Sequence, residues 1–234
     1  MQPTDGGMGP SRRLVASCAL AAWAMVGCAV SPQPEPPSID ITRLQIGGAL
    51  SVDGESGAVT PPGAVVTAVD LEDASPAASD VADASGAFAL LLVGGQTDAV
   101  RLVATANGLS SDPLDVRGVI GFKQNQVEPL PVPLAGCFTL DPPDEVGPVA
   151  AAAVAVITLT NACATDATID AMAIRSGSAA WSVSSTGPLA VPRNAQRVVT
   201  VKRAAGSAAV DDILVLTFGS PDPGLRALTL LAAP

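Results

Sequence analysis

The sequence predicts an all-β protein of two tandem β-sandwich domains behind an N-terminal export signal and a proline-rich tether. Three observations predict it. Short runs rich in Val, Leu and Ile recur from Ile41 to the end and are bounded by Gly, Asp, Asn and Pro, the punctuation of strands and their turns. Few windows repeat apolar residues at the spacing of a helix face. Mean hydropathy is +0.43, which favours packed cores in a chain with only 3% aromatics and 22 Gly and 21 Pro that would otherwise read as disordered.

At the N-terminus, Arg12-Arg13 precede an apolar run that ends in Met25-Val26-Gly27-Cys28. A positive patch, a short apolar core and small residues before a cleavage point form an export signal. Residues 14–27 fall short of the roughly 20 residues that a membrane-crossing helix needs. Val26-Gly27-Cys28 resembles the bacterial lipobox, with Met25 where that pattern prefers Leu. The resemblance implies a lipoprotein signal peptide over 1–27, with Cys28 lipidated and acylated as the mature N-terminus, so that several chains anchor the protein durably. Two alternatives remain at this point: the same spacing at Val15-Ala16-Ser17-Cys18, which leaves no apolar core after Arg13, and an ordinary secretory signal. Ser11-Arg12-Arg13 raises a twin-arginine route, although Leu14-Val15-Ala16 continues that motif poorly. Ala29 after the lipid-bearing Cys is not the Asp that retains lipoproteins at the inner membrane, which implies the outer membrane, on its periplasmic or surface face.

Residues 28–40 form the lipid-anchored linker. Its Ser31-Pro32-Gln33-Pro34-Glu35-Pro36-Pro37-Ser38 is a semi-rigid spacer of extended polyproline type. Without residues 1–27, which hold Asp5, Arg12 and Arg13, the chain keeps 21 acidic and 10 basic side chains. That surface repels nucleic acid.

The first domain is expected over 41–135. Its strands are read as Leu44 to Val52, Gly63 to Leu71, Phe88 to Val93 and Ala99 to Ala106, each followed by a turn sequence such as Asp53-Gly54 or Asn107-Gly108. The Ala-rich stretch Leu71 to Ala84 holds Pro76 and several acids and reads as a loop. Gly48-Ala49-Leu50-Ser51-Val52-Asp53, Pro61-Pro62-Gly63-Ala64-Val65-Val66, Asp83-Ala84-Ser85-Gly86-Ala87-Phe88 and Ala106-Asn107-Gly108 together resemble the carboxypeptidase regulatory-like domains, which are transthyretin-type sandwiches. The resemblance implies a folding, spacing or binding unit, with an enlarged acidic insert between Val69 and Val81. Asp70, Glu72, Asp73, Asp80 and Asp83 are the weak calcium candidates of that insert, because calcium takes six to eight oxygen ligands from irregular loops. A charged solvated loop, with Asp83 as a turn-former, is the competing reading, since the spacing lacks the alternating Asp order of recognisable calcium loops. No other metal site and no cofactor is expected.

Pro129, Pro131 and Pro133 mark a boundary, and the second domain is expected over 136–234. Cys137 and Cys163 are left once Cys18 is removed and Cys28 is acylated. In an oxidising compartment they pair most simply as a disulfide, the alternative being a metal or a reactive thiol pair. Strands are read at Val154 to Thr160, Ile169 to Ile174, Trp181 to Ser184, Arg197 to Lys202, Ile213 to Phe218 and Leu225 to Leu231. Ile157-Thr158-Leu159-Thr160-Asn161, Trp181-Ser182-Val183, Leu189-Ala190-Val191-Pro192, Val198-Val199-Thr200-Val201 and Ser220-Pro221-Asp222-Pro223 resemble the immunoglobulin-like domains of the choice-of-anchor-D and ASPM-SPD-2-Hydin type, and both domains are therefore read as immunoglobulin-like β-sandwiches. Arg193 stands where that family has Gly. Trp181 reads as core filler. Arg193, Arg197, Lys202 and Arg203 read as a solvated strand edge or as a dock for an acidic partner, the first domain included.

The chain has no His, so Ser-His-Asp hydrolysis lacks its base. Lys123 and Lys202 lie in no dyad motif, and no phosphate loop is present. Paired carboxylates for glycoside cleavage are open from any sequence, yet no aromatic platform accompanies them. The expectation is a chain that is not an enzyme: a lipid-anchored cell-envelope binding or structural module, or else an accessory subunit of an envelope or secretion complex, with a calcium-binding adhesion module third. Its partners would be the membrane, through the lipid, and an envelope protein or carbohydrate.

Overall fold

The computed structural model describes residues 34–119, 126–176 and 179–234, and every element there is a strand, a turn or a single-turn 3-10 helix. None of the described helices is long and apolar enough to cross a membrane. Cys28 and the rest of 1–33 lie outside the described residues.

The first sandwich contains β1 (Ser38–Ile39), β2 (Leu44–Gly47), β3 (Ser51–Gly54), β4 (Val59–Thr60), β5 (Val65–Asp70), β6 (Ala78–Val81), β7 (Phe88–Leu91), β8 (Ala99–Ala106), β9 (Leu109–Ser110), β10 (Leu114–Val119) and β11 (Gln126–Pro129). A three-stranded sheet, β2-β3-β7, faces a larger one in the order β11-β10-β8-β5-β6, with β9 paired to β8. Ile46, Val52 and Leu90 from one sheet and Val66, Leu102 and Val116 from the other fill the space between them. Asn107 and Gly108, both in the left-handed region at φ 53° and 77°, close the β8–β9 hairpin, the geometry that a two-residue hairpin turn requires.

Two readings of this half are corrected. Leu44 to Val52 is a hairpin, not one strand: the chain reverses over Gly48–Leu50, with Ala49 and Leu50 at φ 55° and 51°, so that Gly47 pairs with Ser51. The stretch read as a loop contains β6, an edge strand paired with β5 from Val65↔Val81 to Ala68↔Ala78. Its side chains alternate between half-buried and exposed, so backbone hydrogen bonds hold it without an apolar signature.

The second sandwich contains β12 (Phe138–Asp141), β13 (Glu145–Val149), β14 (Val154–Asn161), β15 (Ala167–Ile174), β16 (Trp181–Val183), β17 (Leu189–Val191), β18 (Ala195–Arg203), β19 (Asp212–Phe218) and β20 (Gly224–Ala232). Its sheets are β12-β14-β18-β16 and β13-β20-β19-β15-β17, antiparallel except for the β13–β20 pair. Ile157, Leu159, Val199, Val201, Leu214, Leu216, Phe218 and Trp181 pack between them. Trp181 also donates its ring N–H to Val210 O at 3.0 Å. A disulfide joins Cys137, just before β12, to Cys163, just after β14, clipping two paired strands at one end.

The basic stretch is not a strand edge. β18 is hydrogen-bonded on both sides, to β14 and β16, and Arg203 continues the inward parity of Val199 and Val201. It is buried, and its guanidinium donates to Val149 O at 2.9 Å, to Ala233 O at 2.5 Å and to both Ser207 O and Ser207 Oγ. Lys202 is exposed on the opposite face of the strand, and Arg197, which shares the parity of Val199, is exposed near the strand's start.

The two sandwiches meet through sheet faces. Four successive residues from Ala99 to Leu102 are buried, because Val100 and Leu102 enter the first core while Ala99 and Arg101 face the second sandwich. Leu71, Ala99 and Leu130 from the first meet Val215 and Ala227 from the second in a small cluster. Beside it, Arg101 forms a two-pronged ion pair with Asp115 at 2.7 and 2.8 Å and reaches across to Ala227 O at 2.8 Å and Thr229 Oγ1 at 3.1 Å. A charged side chain buried at such a contact needs hydrogen-bond partners, and each nitrogen of the Arg101 guanidinium finds at least one.

Candidate functional site

Asp70 breaks the pattern of the strand that carries it. On β5, Val66, Ala68 and Asp70 are the buried alternate residues, so the period of two sends a carboxylate to a core-side position. The residue has no exposed surface. Its Oδ1 accepts the backbone N–H of Glu72 at 2.8 Å and of Asp73 at 3.2 Å, turning the chain out of the strand. Its Oδ2 is buried and, among the described residues, has no hydrogen-bond partner. Burial pushes the Asp70 carboxyl up, the charges of Asp98 and Asp73 push it the same way, and the two backbone hydrogen bonds oppose the rise.

Asp98 reaches the same place from the loop between β7 and β8. Its Oδ2 accepts from Gly95 N at 2.6 Å, and its own N–H donates to Gly95 O at 3.1 Å, which folds residues 94–98 into a tight turn. Asp70, Asp73 and Asp98 each bring an oxygen to within 4.8 Å of the others. Gly94 makes room for this. A Cβ at that position would stand 2.8 Å from Asp70 Oδ2, 2.7 Å from Asp98 Oδ2 and 2.6 Å from Leu50 Cδ2, so the two carboxylates face one another across a glycine that a larger residue could replace only by displacing them.

Of the five acids singled out in the sequence, the structure brings Asp70 and Asp73 together. Glu72 lies beside them with Oε1 accepting Ala99 N at 3.2 Å. Asp80 and Asp83 are elsewhere and have structural work. Asp80 accepts from Val81 N at 2.8 Å and Ala89 N at 2.9 Å, tying β6 to β7. Asp83 Oδ1 takes Ser85 N and Ser85 Oγ, both at 2.7 Å, and Ala87 N at 3.0 Å. The Ser85 hydroxyl and these backbone amides hold its carboxyl below the usual range. Asp98 was missed by the sequence reading.

A second feature lies at the joint. A cleft of about 840 Å³ opens between the sandwiches, with Arg101, Asp112, Asp115, Asp144, Glu145 and Arg226 on its walls. Arg226 donates to the carbonyls of Phe138, at 3.0 Å, and Pro133, and its guanidinium lies 5.8 and 5.6 Å from the Phe138 and Phe218 ring centres. Arg101 is already neutralised by Asp115, so the cleft is net acidic.

No protein-family model matches the chain, and no curated protein matches it. Among solved structures, SSP-19, an MSP-domain protein like family member of Caenorhabditis elegans, aligns with 41% of this chain and 99% of its own at 19% identity and a TM-score of 0.35. The VesB protease of Vibrio cholerae aligns with 81% of this chain and 67% of its own at 12% identity and a TM-score of 0.31. The immunoglobulin-like sandwich architecture stands on the strand pairing itself. The expectation that the chain is not an enzyme is corrected: a protease, VesB, is among the matched structures. At that TM-score the likeness carries no argument for any particular activity.

Proposed function

We propose that the chain is a lipid-anchored protein of the cell envelope, held at the outer membrane through Cys28, in which a carboxypeptidase regulatory-like domain over 41–135 and a choice-of-anchor-D-like domain over 136–234 act as one rigid binding or structural module. The observation that carries the reading is the Arg101 network, which spends a buried charge on fixing one sandwich against the other. A spacer needs only reach, whereas a binding face shared by two domains needs a fixed joint. The cleft at that joint has the size of small-ligand sites, roughly 300 to 1,000 Å³. Its carboxylates and Arg226 are hydrogen-bonding groups for a hydroxyl-rich carbohydrate or for a polar segment of an envelope protein. The Cys137–Cys163 disulfide supports an oxidising compartment.

A second reading, an accessory subunit of an envelope complex, is favoured by one surface. Val154 and Val156 of β14 and Val198 of β18 are each more than half exposed, and the β14–β18 register puts them on one sheet face. The anchor is tested by the intact mass of the chain from the membrane fraction, expected to begin at Cys28 with its lipids; an unmodified Cys28 or another start rejects it. A photo-crosslinking residue placed at Thr139 in the cleft, and in a second protein at Val156, separates the readings in the native envelope. Capture of a ligand from Thr139 supports the binding module, capture of one stoichiometric protein from Val156 supports the subunit, and capture from neither rejects both.

A further inference from the structure

We propose that Asp70, Asp73 and Asp98 form a calcium site at the end of β5. Three observations meet there. The first is the spacing: oxygens bound to one calcium ion at about 2.4 Å lie no more than about 4.8 Å apart, and these three residues satisfy that limit. The second is Asp70 itself, a residue with no exposed surface whose Oδ2 is buried without a hydrogen-bond partner among the described residues. A buried carboxylate oxygen normally accepts a hydrogen bond or faces a cation. Here the nearby groups on the open side are two further carboxylates, and among the described residues none of the three forms an ion pair with Lys or Arg. The third is Gly94, which leaves the space beside Asp70 Oδ2 and Asp98 Oδ2 clear of side chain.

The donor set fits calcium in kind and number. All three ligands are hard carboxylate oxygens, and each can bind through one oxygen or two. Asp73 is exposed and Asp98 half-buried, so water completes the six to eight ligands that calcium takes, whereas magnesium demands a near-ideal octahedron at shorter distances. A partly hydrated site of this kind belongs with the extracellular modules that bind at about 0.1 to 1 mM. The ion would tie the end of β5 to the turn before β8, the strand that carries Arg101 into the joint. The proposal does not depend on the lipid anchor or on the identity of any partner.

The test uses the intact chain, freed of metal with a chelator and titrated with calcium chloride at neutral pH and fixed ionic strength, followed by calorimetry and thermal unfolding. One equivalent is expected to bind with a Kd of about 0.1 to 1 mM. At about 10 mM calcium and a Kd near 1 mM, the folded-to-unfolded ratio rises about elevenfold. Asp98→Asn and Asp73→Asn should each weaken binding about tenfold or more and remove the thermal shift, while Asp53→Asn, exposed on β3, should leave both unchanged. Because Asp73 is exposed, its variant keeps the test decisive if the Asp98 variant fails to fold. The proposal is overturned by no saturable binding up to about 10 mM, by Asp73 and Asp98 variants that respond to calcium as strongly as the parent, or by equal binding of magnesium chloride. It is equally overturned if Asp70→Asn stabilises the metal-free chain while the parent shows no calcium response, because Asp70 Oδ2 would then be satisfied by a proton.

Discussion

Replacing Arg101 with Ala tests the joint between the sandwiches directly. The side chain is 6% exposed and its partner Asp115 is 24% exposed. Removing one member of a buried ion pair costs roughly 3 to 5 kcal/mol, chiefly because the other charge is left without compensation. Asp115 is open enough for water to reach it, which lowers that part. The substitution also removes the donor to Ala227 O, a buried carbonyl whose lost hydrogen bond costs about 1 to 2 kcal/mol. The net expectation is a loss of about 2 to 4 kcal/mol. In urea unfolding, with a slope of roughly 2 to 3 kcal/mol/M for a chain of this size, the midpoint falls by about 1 M. Thr229→Val isolates the arm that crosses to the second sandwich, since Thr229 Oγ1 accepts from Arg101, and should cost about 0.5 to 1.5 kcal/mol. A double-mutant cycle between Arg101→Ala and Asp115→Ala should return a coupling of about 1 kcal/mol or more. A midpoint shift below about 0.3 M for Arg101→Ala, or a cycle with no coupling, refutes the view that this network holds the joint.

The Cys137–Cys163 crosslink spans 26 residues of sequence, for which the chain-entropy model gives about 3.5 kcal/mol; the Cys137→Ala, Cys163→Ala double variant should lose about that much in denaturant unfolding, and thiol counting on the unfolded parent should find both sulfurs oxidised. Asp83, held low by Ser85 and Ala87, favours the folded state above its unfolded pKa and loses that contribution as pH falls through its lower folded value. Its carboxyl should therefore titrate below 3.8 by NMR, and Asp83→Asn should flatten the acid limb of the stability profile; a titration at or above 3.8 refutes the turn geometry.

Much of the fold was legible because strand period and turn residues agree. Ala99 to Ala106 is a strand within the bounds read from its Val-rich run and the Asn107-Gly108 that follows, and Trp181 is a buried filler. The failures share a cause, which is structure held by something other than apolar pattern. The β2–β3 hairpin turns on two non-glycine residues at positive φ, a conformation that composition does not announce. The β6 edge is held by its ladder to β5 and buries too little to show a period. Arg203 was misread for a different reason: charge was given more weight than parity. It stands two residues after Val201 and four after Val199 on an alternating strand, so the period already placed it inside, and its four guanidinium hydrogen bonds follow from that position.

The same weighing explains the acidic site. Reading along the chain groups acids by sequence distance, which gathered Asp80 and Asp83 with Asp70 and left Asp98 out. The fold groups them by register. β5 and β8 run antiparallel with Asp70 opposite Val100, so the residue that enters β8 two positions earlier must lie beside the residues that leave β5. Asp98 is that residue, and Asp73 follows Asp70 around the turn that Asp70 Oδ1 itself caps. The inward parity of Val66, Ala68 and Asp70 was visible in the sequence and marks the anomaly: a strand that ends its buried face on a carboxylate must supply that carboxylate with a donor or a cation. Backbone amides satisfy one oxygen. The other faces two more carboxylates across a glycine, an arrangement that places like charges together and that a divalent cation resolves.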